Sequence, residues 1–152
     1  MQVEASLELS ARKFPKKTAL VCRDQRMSYQ EIEEQCNRLA HALSDVGVQR
    51  GDRVAVYLEN SVEAVVSIFA ILKAAAVFML VNPPPKAKSL RMFWITHAKR
   101  LIAHGQKRAT VEPCLGESPH VETVVLVGQE GGAVGSGHKR VVSWGDLLEQ
   151  HD

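Results

Sequence analysis

The glycine-rich segment Gly128-Gln-Glu-Gly-Gly-Ala-Val-Gly-Ser-Gly-His-Lys-Arg140 follows an apolar run and invites a test for phosphate chemistry. A phosphate loop needs glycines that free backbone N–H groups, a lysine that reaches the outer phosphates, and a following hydroxyl for magnesium. Gly132 and Gly137 have the required separation, but His138 stands where the lysine belongs, and no Ser or Thr follows. With five of the chain's ten glycines and no bulky residue over 128–137, the segment reads as a mobile surface loop over 128–140, not a nucleotide site. His97 and His104 are seven residues apart, which does not put two imidazoles on one helix face at a metal. They read as ordinary core or surface histidines.

Cys22, Cys36 and Cys114 are odd in number and contain no C-x-x-C pair, which argues against a disulfide framework or a zinc site. Cys36 falls on an apolar helical stripe and reads as a small packed residue. Cys22 falls in a strand and Cys114 beside Pro113, and neither has a histidine at an activating spacing. There is no Gly-x-Ser-x-Gly. The residues themselves therefore nominate no catalytic, cofactor-binding or metal-binding side chain.

The elements that would have to position any site are easier to read. Val3, Leu7, Ala11 and Phe14 recur at helical spacing, and Pro15 stops that helix. Thr18 to Arg23 and the short return at Arg26-Met27 predict a hairpin. Ser28-Tyr29-Gln30-Glu31 is a capping box, with Met27 and Ile32 placed as a hydrophobic staple. The helix it opens carries Ile32, Cys36, Leu39, Ala40, Leu43 and Val46 on one stripe and stops at Gly47. Arg53 to Leu58 predicts a strand covered on both faces. Asn60, with Glu63 three residues on, predicts the cap of an almost wholly apolar helix over Val62 to Ala75. That helix could wall an acyl site, but such helices usually belong to a core. Ala76 to Val81 predicts a second buried strand, completing a βαβ unit.

Asn82-Pro83-Pro84-Pro85 ends that strand. Ser89 predicts the cap of a helix carrying Leu90, Phe93, Trp94 and His97. A short strand over Arg100 to Ala103 follows, then a weak helix over Gln106 to Glu112 ended by Pro113. Val121 to Val127 and Val141-Val142 predict two more strands, and Ser143 with Asp146 caps a terminal helix. The alternation predicts an α/β fold: an open, mostly parallel sheet with helices on both faces.

At 152 residues the chain suits one domain. Its 19 basic and 17 acidic residues are too balanced for a nucleic-acid partner. Lys86, Lys88 and Arg91 read as a solvated helix face. No signal peptide or transmembrane segment is visible, because the longest apolar stretch is broken by Ser67 and Lys73. With its unpaired cysteines, the chain is expected to be cytoplasmic.

One stretch carries more than pattern. Residues 51–83, G-D-R-V-A-V-Y-L-E-N-S-V-E-A-V-V-S-I-F-A-I-L-K-A-A-A-V-F-M-L-V-N-P, resemble the amino-terminal subdomain of AMP-forming acyl-CoA synthetases, within the AMP-binding, adenylate-forming ligase superfamily. The upstream order matches as well: Phe14-Pro15-x-x-Thr18-Ala19-Leu20, then Met27-Ser28-Tyr29-Gln30-Glu31, Asn37-x-Leu39-Ala40, and Leu43-x-x-x-Gly47-Val48. Arg100-Leu101-Ile102-Ala103 resembles the family's next strand. The resemblance implies that residues 1–152 are the amino-terminal portion of such a ligase, best matched over 7–103. It implies ATP, magnesium and CoA as cofactors of the full-length enzymes. The family wraps the triphosphate in a Ser/Thr/Gly-rich loop ending in Pro-Lys-Gly, and the sequence contains no Pro-Lys-Gly. Its catalytic lysine has no counterpart here either, so no cofactor is expected to bind this chain alone.

Two positions depart from the family pattern. Ala75 stands where glycine is usual, and Leu80 where proline often precedes V-N-P. If Ala75 must take a positive φ, the strain is about 1–2 kcal/mol. Three functions follow as expectations. The first is a ligase fragment inactive alone. The second is a non-enzymatic interaction module pairing with the ligase remainder or another protein. The third, and weakest, is a self-contained nucleotide-binding domain.

Overall fold

The computed structural model describes residues 2–81, 98–116, 118–128 and 139–150. The helix expected after Ser89, the basic cluster Lys86, Lys88 and Arg91, and residues 129–138 of the glycine-rich segment lie outside these.

The chain opens with helix α1 (Val3–Lys13), which buries Leu7. Strands β1 (Thr18–Cys22) and β2 (Gln25–Ser28) form an antiparallel hairpin. Arg23 turns it with φ +52°, an uncommon backbone for a residue with a side chain. Helix α2 (Tyr29–Asp45) begins with the expected capping box. The Glu31 N–H donates to Ser28 Oγ at 3.3 Å, and the Ser28 N–H donates to the Glu31 carboxylate at 2.7 Å. The Ser28 backbone N–H most of all, and then the Ser28 hydroxyl, which donates to the same carboxylate at 2.8 Å, hold the Glu31 carboxyl below its ordinary range. Met27 and Ile32, the expected staple, are both buried.

Strand β3 (Arg53–Tyr57), helix α3 (Val62–Lys73) and β4 (Val77–Leu80) follow as a βαβ unit, with β3 and β4 parallel. Strand β5 (Ala98–His104) leads into a 3₁₀ turn (Gly105–Lys107) and helix α4 (Arg108–Leu115). Strands β6 (Thr123–Val127) and β7 (Arg140–Ser143) and helix α5 (Trp144–Glu149) complete the described chain. The five strands form one parallel sheet in the order β4-β3-β5-β6-β7.

Strand alternation sends side chains to opposite faces, and both faces are covered. Val54, Val56, Ile102, Val125 and Val127 share a core with α1, α2, α3 and α5. Ala55, Tyr57, Leu101, Ala103, Val124 and Leu126 pack with Val111, Cys114 and Leu115 of α4. The fold class read from the sequence is therefore the fold.

Three local expectations fail. Ser61, not Asn60, caps α3, accepting from the Ala64 N–H at 3.2 Å. Pro113 lies inside α4 instead of ending it. Val111 and Leu115 are each only 2% exposed, and their burial holds the backbone helical past the proline. Strand β4 is not buried: Val77 is 47% and Leu80 54% exposed. It is the outermost strand on its side among the described residues.

Helices α2 and α3 end alike. In α2, the Val48 N–H donates to Leu43 O and the Gly47 N–H to Ser44 O, with Gly47 at φ +85°. In α3, the Ala76 N–H donates to Ile71 O and the Ala75 N–H to Leu72 O, with Ala75 at φ +56°. Both are Schellman endings, which require a left-handed residue. The condition attached to Ala75 is met. Each ending is also tied to a neighbour. The buried Arg100 donates to Val46 O through Nη2 at 2.9 Å and Nε at 3.3 Å, and to the Glu122 carboxylate at 2.5 Å. The Gly51 N–H donates to Ala75 O at 2.9 Å.

Lys73, in the last turn of α3, fastens the helical layer. Its Nζ lies 2.7 Å from Glu33 of α2 and 3.0 Å from Glu8 of α1. Burial works against the ammonium, but the two carboxylates outweigh it and raise the Lys73 pKa. The bond from Lys73 in turn lowers that of Glu8.

Candidate functional site

In an open parallel sheet, ligands bind beyond the carboxyl ends of the strands, where the strand order reverses direction. Here the chain runs outward from β3 to β4, then returns to place β5 on the other side of β3. The reversal point lies between β3 and β5. A cavity of about 630 Å³ opens there, lined by Tyr57 at the end of β3 and Glu59 just after it, Asn60 before α3, His104 at the end of β5 and Lys107 in the turn that follows, and Arg23 of the hairpin turn.

The backbone fixes these groups in different ways. The Gln106 N–H donates to His104 Nδ1 at 3.2 Å, so a neutral His104 carries its proton on Nε2. On its other side the ring meets Gly128, which follows β6 at φ +75°; a Cβ there would sit 3.1 Å from Nε2. Glycine is needed at 128 for both reasons. Lys107 Nζ lies 3.4 Å from Glu59 Oε1, with both side chains well exposed. Such a pair contributes little stability and is free to exchange partners.

An apolar cleft of about 290 Å³ adjoins this cavity. Leu58, Ala64, Val65 and Ile68 line it, with Val21 and Leu80 at its sides. The two spaces share Cys22, Leu58, Asn60 and Ser61. The Cys22 thiol points at Asn60 O, 3.8 Å away. The mouth can thus pair charges and donate hydrogen bonds, and the cleft can bury an apolar group. Among the described residues, no group of three or more His, Cys, Asp and Glu could hold a metal ion.

His104 lines the cavity, and His97 lies outside the described residues. Cys36 is a packed residue, fully buried, with its thiol on Val66 O at 3.6 Å. Burial pushes its pKa up to about 12, which leaves it no nucleophilic role at neutral pH. Cys114 is buried, its thiol on Thr110 O. Helix α3 is core through Val66, Ala70 and Ile71, while Ala64, Val65 and Ile68 wall the apolar cleft. Glu59, His104 and Lys107 escaped the sequence reading as a group. His104 ends a strand, and Glu59 and Lys107 each follow one by two or three residues, but only the order of strands in the sheet brings them together.

The same fold recurs in solved ligases. The chain superimposes on the anthranilate CoA ligase AuaEII with a TM-score of 0.89 and 26% identity, over 99% of this chain and 28% of that one. A long-chain-fatty-acid-CoA ligase from Archaeoglobus fulgidus gives 0.86 and 25% over 100% of this chain and 30% of that one. The family model described as AMP-binding enzyme matches residues 7–145. The chain belongs to the AMP-binding enzyme family. Curated relatives agree. A medium/long-chain-fatty-acid–CoA/3-oxocholest-4-en-26-oate–CoA ligase of Mycobacterium tuberculosis is 34% identical over 114 residues, 74% of this chain and 21% of the relative. A 3-oxocholest-4-en-26-oate–CoA ligase of Rhodococcus rhodochrous is 32% identical over 126 residues, 82% of this chain and 22% of the relative.

The chain thus spans about a fifth of the length of the curated relatives it matches. Within the AMP-binding family it is an acyl-CoA ligase-like chain of fragment length. No helix among its described residues is long and apolar enough to cross a membrane.

Proposed function

We propose that this chain is the amino-terminal scaffold of an ATP-dependent ligase that activates acyl or aryl carboxylates and passes them to CoA, and that alone it is inactive. The observation that carries this reading is the family match over residues 7–145 in a chain about a fifth as long as its curated relatives. Adenylation aligns a carboxylate with the α-phosphorus of ATP and neutralises the departing pyrophosphate, so positioned cations and donors are indispensable. The family's Pro-Lys-Gly loop is not in this sequence. The fatty and sterol acids named for the mycobacterial relative, and the anthranilate of the solved one, support a hydrophobic carboxylate as the substrate class of the complete enzyme. Its cofactors are ATP, magnesium and CoA. Free cysteines fit a reducing, cytoplasmic setting.

The test is carboxylate-dependent ATP–pyrophosphate exchange by the purified chain, with fatty and aryl acids supplied in turn. The expected result is no exchange above the protein-free control. Sustained exchange proportional to protein concentration overturns the reading.

A further inference from the structure

We propose that the last turn of α1 and the turn that leads from it into β1 form a docking surface for an anionic lipid bilayer. Arg12, Lys13, Lys16 and Lys17 meet the headgroups, and Phe14 enters the boundary between headgroups and acyl chains.

Between Glu8 and Asp24 the sequence carries five basic residues, Arg12, Lys13, Lys16, Lys17 and Arg23, and no acidic one. The whole chain has a net charge of only +2, so everything outside this stretch is net negative. Such an asymmetry is the electrostatic mark of a surface that meets an anionic partner. Arg12, Lys13, Lys16 and Lys17 are all exposed. Two carboxylates that could neutralise them are engaged elsewhere. Glu8 lies against Lys73 of α3 at 3.0 Å. Glu31, in the first turn of α2, accepts from the Ser28 N–H.

Phe14 stands among these cations and is 46% exposed. Lys13 Nζ and Lys17 Nζ lie 5.3 and 5.5 Å from its ring centroid, so the ring and two ammonium groups occupy one patch. Leu9, one helical turn before Arg12 and Lys13, is exposed on the same side of α1. The backbone beneath is fixed. The Phe14 N–H donates to Ser10 O at 2.8 Å and the Lys17 N–H to Phe14 O at 3.1 Å. From α2, the Tyr29 N–H donates to Lys17 O and the Gln30 N–H to Pro15 O, both at 3.1 Å. A preformed turn thus presents the side chains, and docking need not order the chain. A soluble polyanion would match the cations but leave the ring in water. An anionic bilayer takes both, because headgroup charges attract the cations and an aromatic ring sinks to the edge of the acyl region.

The experiment measures co-sedimentation of the purified chain with vesicles, either of phosphatidylcholine alone or of equal parts of phosphatidylcholine and phosphatidylserine. The expected result is binding to the mixed vesicles only, lost when salt rises from about 0.1 M to about 1 M and the Debye length falls to about 3 Å. Each cation near an anionic membrane is worth roughly fivefold in partitioning, so Lys16→Ala combined with Lys17→Ala should weaken binding about twentyfold. Arg50→Ala combined with Arg53→Ala removes the same charge from exposed positions beyond the far end of α2, and should leave binding within about twofold. In the Phe14→Trp variant, lipids brominated in their acyl chains should quench emission that they do not quench in the wild type. All the substituted positions are exposed, so the variants keep the fold, as far-UV circular dichroism and the unfolding midpoint will verify. No binding, equal binding to phosphatidylcholine alone, or equal loss in the two double variants overturns the proposal. So does vesicle binding that leaves the Phe14→Trp variant unquenched. Retention on immobilised heparin without binding to vesicles assigns the patch to a soluble acidic partner, and also overturns it.

Discussion

Helices α2 and α3 close with the same pair of backbone hydrogen bonds, yet Gly47 makes the left-handed turn in one and Ala75 in the other. Gly47 faces a crowded surround: a Cβ there would lie 3.1 Å from Nη2 of Arg100, the group that holds Val46 O. Ala75 is exposed, and its methyl group fits. Its cost is confined to its own backbone. The difference teaches that one motif can impose two requirements, a conformational one at both ends and a steric one at only the first. At Ala75 a glycine would relieve the backbone alone.

Replacing Gly47 by Ala breaks the comparison most severely. It adds the left-handed penalty and pushes Arg100 from its carbonyl, for a loss of about 2 kcal/mol or more. Urea unfolding would show a lower midpoint with an unchanged slope. Ala75→Gly sharpens the comparison from the other side. It relieves strain without opening a buried space and is expected to gain about 1 kcal/mol, read as a raised midpoint in the same titration. A gain indistinguishable from zero would mean that the strain is dispersed into the β4 edge.

The smallest effect concerns where α2 begins. The carboxyl of Glu31 is held below its ordinary range by Ser28, so its contribution is present above that range and fades as the pH falls through its folded value. Glu31→Gln should therefore flatten the acid side of the stability–pH curve below about pH 5 and leave its neutral shape unchanged. A variant with the wild-type acid limb would show that the cap does not depend on the charge.

Much of this fold was legible because local chemistry and burial agree. The capping box at Ser28 and Glu31, the stop at Gly47 and the apolar run of β3 each admit one reading. The failures lie where local signals are degenerate. Asn60 and Ser61 can both cap, and the hydrogen bond chooses the serine. Pro113 should end α4, but burial of Leu115 beyond it overrides propensity. The apolar run at 76–81 reads the same whether a strand is central or at an edge. The charged cavity was invisible for a deeper reason: Glu59 and His104 are 45 residues apart and meet through sheet order, which no local pattern encodes.

The parallel sheet also shapes how the molecule is made. Strand β3 gains β4 soon after α3, but its other neighbour, β5, arrives about forty residues after β3 ends. At ordinary translation speeds that delay is a few seconds. Through it, the emerging polypeptide carries the greasy sides of α2 and α3 without their finished sheet. Nascent-chain yield should accordingly depend on holdase chaperones more than the equilibrium stability of the finished fold would suggest.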